Sequence, residues 1–488
     1  LTVPPRTARG APRRKLAEQV ARRIEDEIVE RGWPVGEPIG AEAELIARYG
    51  VSRAAVREAI SILEYKQVAA MRRGRGGGLV VRAPAGAVVA EAVAAFFHFA
   101  DVSVGELYDA RITLEVLAAR LAARRIGEDD IAPLRKVADD DRVERQLSVA
   151  VAQAGGNPVL SIFVPTLTRV TGALAGDPSD RYDLGTETLG VRRRALHGIA
   201  EAIVSGDEAS AERRVRRHLE GERAWLDRVR GAREAARARP AGGPPGSLAQ
   251  RLADSLAGGL PGKLPEKVAL LVRHEIHRRG WPAGEVLGNE AALCEELGVS
   301  RAVFREAVRI LEHNGVARMR QGPGGGLVVQ RPDPARVVDA LALYLRYLQV
   351  GAGDLFEVRT AVELAAVELA AARAPHDDTA GLAAALAQER AQDGGGEPDP
   401  AERSGPAPAE VHLALARLSG NRLLSLFAAV LIRLTRFRPP EGTGHEPSAA
   451  VHGKIAEAVL TGDVSVARHH LSRHLAALEP RLEPVPPR

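Results

Sequence analysis

The sequence predicts a mainly α protein in which two winged helix-turn-helix domains, each with a small β-hairpin wing, alternate with two all-α helical bundles. Three observations carry this. The 488 residues exceed one compact domain and suffice for three or four. Aromatics are only 3% while Ala, Leu, Val and Ile abound, and Ala and Leu head the helix propensity scale. The chain also repeats itself: RGWPVGEPIGAEAELIARYGVSRAAVREAISILE from Arg31 returns as RGWPAGEVLGNEAALCEELGVSRAVFREAVRILE from Arg279.

The repeat has an offset of 248, from Trp33 to Trp281 or Arg53 to Arg301. It continues as LYDARITLEVLAARLAARR from Leu107 and LFEVRTAVELAAVELAAAR from Leu355. Farther on the offset becomes 264 (Asn157 to Asn421) and then 256 (Asp207 to Asp463), so insertions such as the Gly/Pro-rich stretch 393–408 separate matched elements. The duplicated unit is therefore a whole two-domain protein. The expected boundaries are a basic disordered arm over 1–14, winged domains over 15–83 and 263–332, helical domains over 84–232 and 333–480, and a Pro/Gly-rich linker over 233–262. As a flexible chain, about 30 linker residues reach roughly 30 Å.

Charge narrows the partners. The net charge of +4 is small, but a pI of about 9.3 permits an anionic partner, and the arginines are clustered. The single cysteine, Cys294, excludes an internal disulfide framework and a cysteine-rich zinc module, and suits a reducing cytosol. Val88–Ala100 is interrupted by Glu91 and His98, so no stretch reads as a membrane span. The N-terminal region lacks an apolar signal core. A cytoplasmic protein without membrane association is expected.

Each winged domain opens on an amphipathic helix, with Leu16, Val20, Ile24 and Ile28 forming a four-residue stripe in the first copy. Pro34, Gly36, Pro38 and Gly40 then break the chain, and a short helix ends at Gly50. Ser52 is placed to cap the next helix. Val56, Ala59, Ile60 and Leu63 form its buried stripe, and Arg53 and Arg57 share an outward face. Ser300, the stripe of Phe304, Ala307, Val308 and Leu311, and the pair Arg301 and Arg305 repeat this design. Two arginines at the start of the second helix of a helix-turn-helix sit where base edges and phosphates are met. The wing follows as strand, glycine turn, strand. Arg72, Arg73, Gly74 and Arg75 lie at or beside its tip, and Arg318, Arg320, Gln321 and Gly322 are their second-copy neighbours. A glycine tip lets backbone approach the sugar-phosphate rail, and arginines beside it add charge-assisted contacts. The glycine run is not a nucleotide-binding P-loop, because no Lys-Ser or Lys-Thr follows it.

The VSRAAVREAISILE helix with its basic glycine wing resembles the GntR family of bacterial regulators, and the helical domains resemble its FCD branch. The resemblance covers nearly the whole chain apart from the tail and linkers. It implies a ligand-responsive transcription regulator that binds double-stranded operator DNA, with Arg53, Arg57, Arg301 and Arg305 and the wing glycines Gly74 and Gly322 as contacts. Many members carry an arginine early in the second helix, where this chain has Ala43 and Ala291. The resemblance further implies a zinc or other divalent metal inside the bundle, held by one Asp and three His, with an open position for a small organic acid. In the second copy the histidines fall on His412, His452 and His474, while the Asp position falls on Pro408 and Glu410 is out of register. The first copy has Glu144, Ser148, Leu196 and His218 there, with His197 displaced by one residue. His469 and His470 are read as surface residues.

Such regulators pair two recognition helices. A tandem chain supplies both, so an internal pseudo-dimer is expected, with further oligomerisation open. Two other readings stay open at this level: a constitutive or architectural DNA-binding protein without effector sensing, and a three-histidine metal enzyme.

Overall fold

The structure, a computed structural model, describes residues 11–72, 74, 77–84, 86–100, 102–139, 144–175, 186–237, 264–313, 315–322, 324–393, 407–438 and 448–483. The expected linker lies almost wholly outside these residues, as does most of the expected N-terminal arm.

The first winged domain runs α1 (Ala11–Glu30), β1 (Pro38–Gly40), α2 (Glu42–Tyr49), α3 (Arg53–Tyr65), β2 (Ala69–Arg72) and β3 (Gly78–Val81). Its strands form an antiparallel sheet in the order β1-β3-β2. Val20, Ile24 and Ile28 are buried as their spacing predicts. Leu16, expected on the same stripe, is exposed, and Ala17 and Ala21 take the inner face instead. The α3 stripe of Val56, Ala59, Ile60 and Leu63 is buried against α1.

The turn between α2 and α3 is held by local chemistry. Gly50 adopts φ +62°, and its N–H donates to the Ile46 carbonyl to close α2. Glycine bears this left-handed conformation without a Cβ clash. Ser52 then caps α3 by accepting from the Ala55 N–H at 3.3 Å.

The second winged domain repeats this with α11 (Leu264–Arg278), α12 (Glu290–Leu297), α13 (Arg301–His313), β4 (Ala317–Arg320) and β5 (Gly326–Val329). Ser300 caps α13 through the Val303 N–H at 3.3 Å. The indole N–H groups of Trp33 and Trp281 each donate at 2.7 Å to the carbonyl 49 residues on, at Arg82 and Gln330. Each tryptophan thereby pins the end of its first helix to the end of its wing.

The helical domains are bundles around one long central helix. In the first, α5 (Val104–Arg125) packs among α7 (Glu144–Ala154), α8 (Leu160–Ala175), α9 (Thr186–Val204) and α10 (Glu208–Arg237), with α6 (Glu128–Asp139) alongside α7 and α9. In the second, α15 (Ala352–Arg373) packs among α17 (Ala407–Leu418), α18 (Arg422–Leu434), α19 (Ser448–Leu460) and α20 (Val464–Leu478), with α16 (Ala380–Asp393) against α17 and α19. The central helices are buried on most sides, so their sequences are Ala-rich rather than sharply two-faced. α10 continues to Arg237, five residues beyond the expected boundary at 232.

The leading helix of each bundle, α4 (Gly86–Phe99) or α14 (Pro334–Tyr347), packs against the winged domain of the other copy. The described residues fall into two compact units, one formed by those up to Glu91 with Leu343–Val350, the other by Ala92–Ala342 and Gly351–Glu483. Within the first unit, Leu343 joins the first winged core, Tyr347 meets Trp33 edge-on with centroids 5.3 Å apart, and Arg346 pairs with Asp26 at 3.0 Å. Within the second, Ala95 joins the second winged core and Phe99 meets Trp281 edge-on at 5.6 Å.

The second unit also contains both bundles, packed through matched residues. The Asn157 side-chain amide donates to the Asp354 carbonyl at 3.1 Å, and that of Asn421 donates to the Glu106 carbonyl at 2.9 Å. Asn157 and Asn421 are duplication equivalents, as are Glu106 and Asp354. Asn157 also donates to Glu357 at 2.9 Å, and Asn421 hydrogen-bonds Asp109, the equivalent of Glu357. Equivalent Phe163 and Phe427 stack at 4.3 Å. Pairing of like with like is the signature of a two-fold, here approximate and contained in one chain.

Candidate nucleic-acid interface and metal centre

Arg53 and Arg57 project from the first turn and a half of α3, and Arg57 is 66% exposed. One carboxylate from the start of α2 meets both: Glu42 lies 2.9 Å from Arg57 and 3.4 Å from Arg53. The second copy keeps the pairing at the same spacing, with Arg305 67% exposed and 2.8 Å from Glu290. Arg301 is exposed beside it. An ion pair between exposed groups contributes little, so a phosphate or a guanine edge can displace the glutamate at small cost.

The wing tips match. Gly74 and Gly322 adopt φ +103° and +98°, and nothing lies within 4 Å of where a Cβ would stand on either. Backbone conformation, not crowding, therefore calls for glycine at both tips. Arg72 is exposed on β2, and Arg318 and Arg320 are exposed on β4. Arg320 donates to the Gly324 carbonyl at 2.8 Å, bracing the turn. Arg73 and Arg75 lie outside the described residues.

Inside the second bundle, His412 from α17, His452 from α19 and His474 from α20 converge, although up to 62 residues separate them. A nitrogen from each falls within 4.8 Å of the others, and the Nε2 atoms of His452 and His474 are 3.2 Å apart. His412 and His452 are buried. Two carboxylates stand behind the rings: Glu363 from α15 meets His412 Nδ1, and Glu389 from α16 meets His452 Nδ1 at 2.8 Å. A carboxylate on Nδ1 holds the proton there and turns the Nε2 lone pair inward, the outer-shell arrangement common behind metal-bound histidine.

Electrostatics agree. Burial lowers the pKa of His412 and lowers that of His474 to about 3, so both are neutral, as metal ligands must be. Burial also works against ionised Glu363, yet Arg359 and His412 hold its carboxyl far below the usual range. Three convergent ring nitrogens, two of them from rings backed by a glutamate, fit a divalent cation, and these histidines could hold one.

Glu363, Glu389 and Arg359 were not singled out from sequence. A signal existed for two of them. Arg359 and Glu363 repeat Arg111 and Glu115 at the 248 offset, an Arg-x-x-x-Glu pair inside a helix otherwise suited to burial. Pro408 lies on α17, and Glu410 is exposed. His469 is exposed and His470 half-buried.

The first bundle differs at the equivalent place. Ser148, Leu196 and His218 line a cavity of about 20 Å³ with Glu115, Leu147, Val151, Ile199 and Val215. Leu196 is buried there, while the displaced His197 is not among the lining residues. Glu144 lies on α7. Among the described residues, the second bundle alone gathers three side chains of metal-ligating type.

Comparison with known proteins accounts for both kinds of domain. Residues 16–79 and 264–327 match the family described as bacterial regulatory proteins, gntR family, and residues 106–221 and 354–477 match the FCD domain. The HTH-type transcriptional repressor NanR of Cronobacter sakazakii is 26% identical over 225 residues, covering 43% of this chain and 85% of that protein. The Exu regulon transcriptional regulator of Escherichia coli K12 is 29% identical over 160 residues, covering 31% of this chain and 61% of that one. Among solved structures, Streptococcus agalactiae GntR is similar at 21% identity and a TM-score of 0.29, covering 43% of this chain and 99% of that one. Each relative thus matches less than half of a chain that carries both domain types twice. The chain belongs to the GntR family of DNA-binding, ligand-responsive bacterial transcription regulators, in its FCD branch, as a tandem duplication.

Proposed function

We propose that a single chain acts as a covalent pseudo-dimer, its two recognition helices reading the two halves of one operator. The observation that carries this is the double occurrence of an exposed arginine pair on a capped helix, with its neighbouring glutamate, at Arg53, Arg57 and Glu42 and again at Arg301, Arg305 and Glu290. Arg72, Arg73 and Arg75 with Gly74, and Arg318 and Arg320 with Gly322, serve as wing contacts to the sugar-phosphate rail. The recognition helices differ in their exposed residues at Ser61 and Arg309, which favours an asymmetric operator, whereas the difference between buried Ala55 and core-packed Val303 does not face DNA.

In this proposal His412, His452 and His474 hold Zn²⁺ or a similar ion. Glu363 and Glu389 orient the rings, and the site would take a small organic acid from solution. When bound, the ion supplies Lewis acidity toward that carboxylate. The chain is a sensor and not an enzyme, and works in the cytoplasm. The test is selection of bound duplex from a random pool, with the number of chains per selected duplex measured by light scattering. One chain per full site is expected. Two chains per pair of half-sites would overturn the pseudo-dimer, and no salt-dependent binding to any duplex would overturn the arginine assignments.

A further inference from the structure

The two bundle interiors carry the same arginine in different company. Arg111 and Arg359 are duplication equivalents, each only 4% exposed, and each donates through Nε to the glutamate one turn on: Glu115 at 2.7 Å and Glu363 at 2.5 Å. The remaining donors diverge. Arg359 Nη1 donates to the neutral hydroxyl of Thr435 at 2.6 Å. Arg111 Nη1 donates to a second carboxylate, Glu222 on α10, at 2.9 Å. The equivalent hydroxyl is present in the first bundle as buried Thr171, which donates to the Leu167 carbonyl as Thr435 does to Leu431. Arg111 therefore meets a carboxylate where its twin meets a hydroxyl. At the 256 offset, the counterpart of Glu222 is Leu478, an apolar residue packed on the second core.

We propose that the interior of the first helical domain is a carboxylate-binding site with Arg111 as its receptor, occupied by the chain's own Glu222. This deepens the preceding proposal and rests on it in one respect, that the second domain is the one open to an organic acid from solution. Three further observations bear on it. The cavity lined by Glu115 and His218, the neighbours of this ion-pair cluster, is about 20 Å³, room for one water and none for an external carboxylate. Glu222 is largely buried, and an unpaired carboxylate there would be strongly disfavoured, so its partner holds it ionised. Burial alone would raise its pKa, but Arg111, His218 and Arg192 together bring it below the usual range.

The consequence is a division of labour inside one chain. The first bundle lacks the three-histidine set and has its arginine already neutralised, so it stands permanently in the state a bound carboxylate would produce. The second keeps the histidines and an arginine with one carboxylate partner, and responds. Such a chain reports one ligand per two reading heads.

The test is chemical rescue in the full-length chain, without DNA and with chelator present so that the second domain's histidines hold no cation. Glu222→Ala should lower the melting temperature by about 5 °C, the order of one or two kcal/mol in a domain of this size. Sodium acetate should restore most of that loss saturably in the tens of millimolar, and sodium chloride at equal ionic strength should not. Acetate should not rescue the double variant Arg111→Ala/Glu222→Ala. No loss in the single variant, or recovery by acetate no larger than by chloride, overturns the proposal. Should Glu222→Ala not fold, Glu222→Gln replaces it. Its deficit against the wild type should be present at pH 7 and vanish as the pH falls through the depressed carboxyl range, and absence of a deficit at pH 7 overturns the proposal. Because neither readout involves DNA or metal, failure here is distinguishable from failure of the pseudo-dimer or of the histidine site.

Discussion

Replacing Arg57 and Arg305 by alanine, singly and together, probes the reading heads most directly. In the free protein each guanidinium is about two-thirds exposed and rests against one glutamate, Glu42 or Glu290. An exposed pair of this kind is worth roughly 0.5 kcal/mol, so freeing the arginine for DNA costs little. A good arginine contact to a guanine edge contributes about 1–3 kcal/mol of discrimination. The net loss on substitution is then on the order of 0.5–2.5 kcal/mol, about 2- to 70-fold in affinity. The two sites lie on separate winged domains with no shared partner among the described residues, so the double variant should lose close to the sum. The assay is fluorescence anisotropy on the selected duplex across a salt series. If an arginine touches a phosphate instead, affinity falls uniformly across sequences and the salt slope drops by about one. The glutamate supplies a control of opposite sign: Glu42→Gln should tighten binding, because it removes an anion facing the same groove. Unchanged affinity and salt slope in the double arginine variant would refute the reasoning, as would weaker binding by Glu42→Gln.

Other consequences are equally open to measurement. Elemental analysis after zinc dialysis should find one ion per chain and not two, with His452→Ala abolishing it and Glu389→Gln weakening binding about 10- to 100-fold through loss of the ring's anchor. Asn157→Ala should destabilise by about 2–4 kcal/mol in chemical denaturation, because the fully buried amide donates to the Asp354 carbonyl and the Glu357 carboxylate and accepts from the Val159 N–H. Asn421→Ala should behave alike, and a surface-like loss below 0.5 kcal/mol would argue against the matched interface. Glu106 links the copies in a pH-dependent way. Burial opposes its charge, but Arg422 and the Ser103 cap hold its carboxyl below the usual range. Its contribution should thus be complete above about pH 4.5 and lost as the pH falls through the depressed value, and Glu106→Gln should flatten that part of the stability profile. Trp33→Phe should loosen the first wing by removing the indole donor to the Arg82 carbonyl, seen as faster amide exchange in β3.

Much of this molecule was written locally. Cap residues, stripe spacing and glycine punctuation act within one turn of chain, so Ser52 and Ser300, the buried faces of α3 and α13, and the wing tips at Gly74 and Gly322 followed from the string alone. The exposed arginines followed with them, since a helix with one buried stripe must turn its other residues outward. The duplication made the second copy predictable from the first. Leu16 shows where locality ends. A four-residue spacing drifts around a helix of 3.6 residues per turn, so the tertiary contact chose Ala17 for the inner face over the larger side chain.

What only the tertiary structure decided depends on residues far apart in sequence. Each histidine position was legible, but the carboxylates behind them come from α15 and α16, and no local rule says which glutamate reaches which ring. The exchange of leading helices is likewise invisible locally, because Tyr347 and Phe99 have the apolar character that either winged domain accepts. Phe163 meeting Phe427, and Asn157 and Asn421 each reaching the other copy's central helix, follow from the approximate two-fold of the fold. Sequence therefore determined what each copy is made of, through forces acting over a few residues. Packing between distant segments decided which side chains meet inside each bundle and across the copies, because burial, ion pairing and shape complementarity exist only once the chain has brought them together.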